Sequence, residues 1–160
     1  MSTPYALVSA VEGCREVSKR ELVALSRDLE RAAFADPPTV AVASLQDQRF
    51  LSARTRQVYR GLADAGARVT LHARGLQSWL APGVRGVDLD DDDPLVDEWV
   101  VVLLSERRPA VLAAADLKHP HVAQADRRFQ CAVSYDADLV AACAALLEPY
   151  PTAPLRHPTG

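Results

Sequence analysis

The alternation of apolar and polar positions divides the chain into helices and short strands. Ser18 opens the first helix, with Glu21 three residues on in capping-box register. Leu22, Leu25, Leu29 and Ala33 then recur at helical spacing and form one apolar stripe. Asp36-Pro37-Pro38 ends it, because proline supplies no N–H and disfavours helix in the residue before it. Thr39 to Leu45 reads as a buried strand and Gln46 to Leu51 as a polar loop holding Phe50. Ser52 caps a second helix carrying Val58, Tyr59, Leu62 and Ala65, with Gly66 as its C′ residue. Ala67 to Ala73 alternates with period two, so strand, helix and strand follow in the order that gives parallel pairing.

The second half is written in shorter elements. Leu76 to Leu80 reads as one helical turn broken by Pro82-Gly83, and Val84 to Leu89 as a short strand. Asp90 to Pro94 forms an acidic turn, and a helical turn follows as far as Glu98. Trp99 to Leu104 is apolar on both faces and is expected to be the most buried strand. Ala110 to Leu117 fits strand or helix, the strand being favoured as half of a hairpin. Phe129 to Ser134 is a last strand, and Asp136 caps a helix with Leu139, Ala142, Cys143, Leu146 and Leu147 on one face. The order predicts an α/β fold: a mixed β-sheet, parallel in its first half and antiparallel in its second, flanked by helices. Residues 1–148 read as one domain. Residues 149–160, with four prolines in twelve positions, read as a flexible tail.

Composition narrows the function classes. The 160 residues suit one domain, and 49% hydrophobic with 24% charged residues is ordinary for a globular protein. A net charge of −3 gives no global signature for direct nucleic-acid binding. The first residues carry no signal-peptide pattern and no apolar run is long enough for a membrane span, so the expected address is the cytoplasm. Cys14, Cys131 and Cys143 are odd in number, form no C-x-x-C pair and have no His at metal-ligand spacing. Cys14 sits beside Arg15, which favours a thiolate, but it reads more simply as an incidental or packed cysteine.

No nucleotide-binding glycine loop, nucleophile elbow or H-E-x-x-H motif occurs. The Asp88 and Asp90 to Asp93 cluster lacks calcium-loop register and reads as a solvated turn; His119 and His121 lack converging partners for zinc. Two constellations stand out. Gln46, Gln48, Phe50, Arg54, Arg56 and Tyr59 run from the end of the first strand into the next helix, where open α/β sheets place ligands. Gln and Arg supply directional polar groups and the aromatics an apolar wall, although Arg54 and Arg56 equally suit a solvated helix face. Glu98 and Trp99 stand at the entrance of the apolar strand. Glu98 there either caps a backbone end or pairs with Arg27 or Arg56, a structural ion pair being the favoured reading.

Four segments, in order, resemble the DICT sensory domain: Leu25-Ser26-Arg27-Asp28-Leu29-Glu30, Leu45-Gln46-Asp47-Gln48-Arg49-Phe50, Arg56 to Ala63, and Asp93-Pro94-Leu95-Val96-Asp97-Glu98-Trp99. The agreement runs over about residues 18 to 147, and Leu45 stands where that family usually has an aromatic residue. The resemblance implies a non-catalytic regulatory input module whose signal passes to a separate output protein or domain, in transcriptional or cyclic-dinucleotide signalling. By position it implies Gln46, Gln48, Phe50, Arg56, Tyr59, Glu98 and Trp99 as ligand-binding residues. Ser26, Arg27 and Glu30 become structural or signalling residues. The expected input is a small-molecule or environmental cue of unstated identity, and no cofactor or metal is named. The competing reading is a ligand-free interaction module that forms a homodimer through the apolar final helix.

Overall fold

The computed structural model describes residues 2–120 and 122–148; His121 and the proline-rich segment 149–160 lie outside the described residues. The chain runs through α1 (Pro4–Glu12), β1 (Arg15–Ser18), α2 (Lys19–Ala33), β2 (Val40–Asp47), α3 (Ala53–Asp64), β3 (Arg68–Arg74), β4 (Trp79–Ala81) and β5 (Val84–Asp88). It continues through β6 (Glu98–Leu104), β7 (Ala110–Asp116), β8 (Arg128–Ser134) and α4 (Ala137–Leu147). The eight strands form one sheet in the order β1-β8-β7-β6-β2-β3-β5-β4. β2, β3 and β5 are parallel to one another, and every other pairing is antiparallel. The α/β class and the division into a parallel and an antiparallel half are as the sequence predicts.

Alternation along the strands builds two apolar layers. Ala41, Ala43 and Leu45 of β2, with Val101 and Leu103 of β6, face α2 and α3 together with Leu22, Tyr59 and Leu62. Val40, Val42, Val100 and Val102 point the other way, against Val8 of α1 and Val140, Cys143 and Leu147 of α4. The helix starts behave as their side chains dictate. Ser18 and Glu21 form a reciprocal capping box, while Ser52 and Asp136 accept from the Thr55 and Leu139 N–H groups. Gly66, at φ +106°, follows the Ala65 C-cap of α3.

The structure corrects several readings. α1 and β1 precede the first helix read from the pattern. No helical turn forms at Leu76 to Leu80: the chain is irregular up to Ser78 and then enters the edge strand β4, which pairs with β5 across the Pro82-Gly83 turn. β2 extends to Asp47 and is buried from Val40 through Gln46. It is therefore deeper than β6, where Trp99 and Leu104 are only half-buried. In α4 the buried face is Val140, Cys143, Ala144 and Leu147; Ala142 is exposed and Leu146 is 46% exposed. Cys14 is exposed, which fits the incidental and not the packed alternative. Among the described residues no helix is long and apolar enough to cross a membrane.

Candidate functional site

The site is built around a break in β2. Between Ser44 and Asp47 the pairing with β3 slips by one residue, and Gln46 adopts φ +74°, the left-handed region that non-glycine residues rarely occupy. A bulge of this kind turns a side chain away from the regular pleat, and such backbone strain concentrates at functional positions. Gln46 is only 4% exposed, and its amide is bound on both sides. Its Nε2 donates to the Val96 carbonyl at 3.2 Å and to Asp116 at 3.3 Å, and its Oε1 accepts from Arg127 at 2.7 Å. Arg127 also forms an ion pair with Asp116. Burial alone would raise the Asp116 carboxyl, but the Lys118 N–H, Arg127 and Gln46 outweigh it and hold the group below its usual range.

These groups line a polar basin of about 280 Å³ at the C-terminal end of β2. Arg49, Arg74 and Lys118 also face it, with Asp97 and Asp116 as counter-charges. On the α2 side, a smaller cavity of about 140 Å³ lies between α2, the start of α3 and the sheet. Ser26, Arg27 and Glu30 line it from α2, Phe50 from the 3-10 turn after β2, and Trp99 from β6. Phe50 lines both spaces, so the two lobes of the cleft share one wall residue.

Hydrogen bonds fix the walls of the smaller lobe. The Trp99 indole donates to Ser26 Oγ at 3.0 Å, while that hydroxyl donates back to the Leu22 carbonyl at 2.9 Å. The Tyr59 hydroxyl, fully buried, donates to Glu30 at 2.8 Å. Burial raises the Glu30 carboxyl, against the Tyr59 hydrogen bond and the charges of Arg54 and Arg27. Burial, followed by the Glu30 charge and hydrogen bond, raises the Tyr59 phenol well above its usual value.

The candidate residues thus divide. Ser26, Arg27, Glu30, Phe50 and Trp99 meet in the smaller lobe, Tyr59 stands behind Glu30, and Gln46 stands in the basin. Gln48 is exposed and covers Gly75, where a Cβ would lie 2.7 Å from its Nε2. Arg56 is exposed and turns to the Leu80 carbonyl at 3.2 Å, outside both lobes. Glu98 lies away from Trp99 because neighbouring strand residues point to opposite faces. It accepts the Tyr5 N–H at 3.0 Å, pinning the start of α1 in place of the favoured Arg pairing. Lys19 and Arg127 lie outside the motif segments, and Arg49, although inside the Leu45-to-Phe50 segment, is not among the candidates. Each stands near an element end bordering the β2 terminus. A separate cavity of about 420 Å³, lined by Leu29, Leu103, Arg107, Arg108 and Tyr135, contains none of the motif residues singled out as ligand-binding.

Comparison with known proteins bears on this geometry in three ways. Residues 6–117 match the family described as DICT, the sensory domain in diguanylate cyclases and two-component systems. A search of curated proteins gives no match. Among solved structures, polyphosphate kinase from Porphyromonas gingivalis superposes with a TM-score of 0.56 at 14% identity, over 90% of this chain and 27% of that one. TrmBL2, an archaeal chromatin protein, aligns with a TM-score of 0.42 at 15% identity, over 82% of this chain and 49% of that one. The chain thus spans about a quarter of the first protein and about half of the second. At such identity the kinase likeness is one of fold alone.

Proposed function

The chain belongs to the DICT family of sensory domains, and from that premise we propose that it is a regulatory input domain whose small-molecule cue enters the cleft whose two lobes share Phe50. The observation that carries the reading is convergence. Residues of three separated motif segments, on α2, after β2 and on β6, line one cavity, and Gln46 beside it is held in a strained bulge. A core-packing role alone does not account for a buried polar residue in the left-handed region at the end of the sheet. Occupancy of the cleft would alter the Gln46–Arg127–Asp116 network, which ties β2, β7 and the start of β8 together. That network is the route by which binding would reach an output protein or domain.

Thermal-shift screening of a metabolite library tests the reading. A compound that raises the melting temperature of the wild type, but less that of Trp99→Phe or Arg27→Ala, supports it. A library in which every active compound acts equally on all three proteins removes the cleft as its site.

The second reading, a homodimerising interaction domain, is favoured by one observation. The outer faces of α1 and α4 carry exposed apolar side chains, with Val11 67% and Leu146 46% exposed. Sedimentation of wild type and Leu146→Asp decides it. A wild-type dimer that the substitution converts to monomer supports the reading; a monomer at all concentrations ends it.

A further inference from the structure

Three cationic side chains from three separate elements converge on the Phe50 ring. The Lys19 ammonium lies 4.8 Å from its centroid, the Arg49 guanidinium 5.0 Å and the Arg127 guanidinium 5.2 Å. The quadrupole of one ring attracts a cation over its face, but one ring does not neutralise three. Around the rim, most of the remaining charges are already matched. Arg127 is paired with Asp116, Lys118 with Asp97 at 2.8 Å, and Arg128 with Glu16 at 2.8 Å. Arg74 reaches Asp47 at 3.5 Å and Asp91 at 3.9 Å, and its Nε is buried without a hydrogen-bond partner. Lys19 and Arg49 form no ion pair with any described carboxylate, which leaves two positive charges uncompensated at the mouth of the cleft. The crowding is felt at Lys19, whose ammonium is pushed below its usual value by burial, then by the charges of Arg127 and Arg49. A chain of net charge −3 that gathers unpaired cations at one cavity presents a local field opposite to its overall sign.

We propose that the surroundings of Phe50 form an anion subsite, in which Arg49 and Arg127 from the basin and Lys19 from the rim of the smaller cavity bind a dianionic group of the phosphate or dicarboxylate class. The proposal rests on the reading of the cleft as a ligand site and gives the cue its chemistry. The Gln46 amide and the Arg127 guanidinium form the rigid inner wall, held by Asp116 and the Val96 carbonyl. Lys19 and Arg49 supply the outer charges. Arg49 is a planar donor fork suited to two oxygens of one group, and Lys19 is a compact point charge that adapts its position.

The test uses the full chain and two probes, inorganic phosphate and succinate, each titrated at constant ionic strength against sodium chloride. The expected result is a saturable rise in melting temperature with at least one probe beyond the chloride control. In the Lys19→Gln/Arg49→Gln variant the apparent affinity should fall about tenfold or more. Both side chains lie at the surface outside the apolar layers, and circular dichroism checks that the variant folds. A response to phosphate alone assigns the phosphate class, and a response to succinate alone the dicarboxylate class. No rise over chloride with either probe, or an equal rise in the variant, overturns the proposal. An uncharged metabolite that raises the melting temperature and perturbs Trp99, with both anions inactive, overturns the anion subsite while leaving the ligand-responsive reading intact.

Discussion

The Tyr59–Glu30 pair offers the sharpest energetic test of the α2 side of the cleft. Tyr59→Phe removes one oxygen and little volume, but it takes from the buried Glu30 carboxylate the phenol that donates to it at 2.8 Å. A hydrogen bond to a charged group contributes about 1.5–3 kcal/mol, against about 0.5–1.5 kcal/mol for a neutral one. The substitution should therefore cost about 1.5–3 kcal/mol near neutral pH, and in a domain of this size the melting temperature should fall by roughly 3–12 °C. Glu30→Gln keeps an acceptor for Tyr59 and removes a charge whose burial is unfavourable, so it should be close to neutral or stabilising. In that background Tyr59→Phe should cost only about 0.5–1.5 kcal/mol. The pH dependence follows from the raised Glu30 pKa. Stability from this group is fully present below the ordinary glutamate value and is lost as pH rises through the higher folded value. Tyr59→Phe removes an interaction that lowers this pKa, so the loss should deepen toward neutral pH and shrink in acid. Urea unfolding of the four proteins of this cycle, at about pH 5 and about pH 8, measures each quantity. A Tyr59→Phe cost that is the same in the wild-type and Glu30→Gln backgrounds, or below about 0.5 kcal/mol in both, would refute the charged-pair account.

Two further predictions concern the frame of the site. Gly75 sits at φ +87° and donates its N–H to Asp88 at 2.6 Å, so Gly75→Ala should cost about 1–2 kcal/mol from left-handed strain. A thermal melt unchanged by that substitution contradicts the geometry at the end of β3. His72 is buried, with Nε2 2.7 Å from the Leu147 carbonyl and Nδ1 without a partner, and burial lowers its pKa. Its lowered value means that the neutral ring stabilises the fold above the ordinary histidine pKa of 6.5 and that this is lost as pH falls through the folded value. Unfolding measured downward from about pH 7 should show this slope, and His72→Gln should flatten it; equal slopes would exclude His72 as its source.

Sequence and structure part company where local pattern carries little information. The capping signals at Ser18, Ser52 and Asp136 are local, and each places a helix start correctly. α1 escapes notice because its nine residues are nearly all apolar or small and present no polar face to set a period. β1 is a four-residue edge strand with exposed Arg15 and Glu16, and β4 has only three residues. Both are made strands by a neighbour, not by propensity. The α4 stripe is easily misplaced because a run of alanine, valine, leucine and cysteine offers several equivalent faces.

At the site, the separation of Glu98 from Trp99 is legible in principle, since period two puts strand neighbours on opposite faces. The position of Gln46 is legible as the end of a strand, but its bulge is not, because pairing with β3 decides it. The cationic ring around Phe50 cannot be read from the chain at all. Lys19 approaches from the start of α2, and Arg127 arrives from just before β8, brought there by the antiparallel half of the sheet.

The proposed function has a small molecule sensed in the cleft between α2, the turn after β2, and β6. The chain has two tryptophans, and they report from different places. Trp99 donates its indole N–H to Ser26 at the cleft wall, and Trp79 is 64% exposed on the edge strand β4. Proton–nitrogen correlation spectra of the labelled chain, recorded against a library of cellular metabolites, therefore test the claim directly. The expected result is a compound that moves the Trp99 indole signal and the Ser26 and Phe50 amides while leaving the Trp79 indole in place. Shifts confined to the exposed faces of α1 and α4, or to the cavity beside Tyr135, would contradict it.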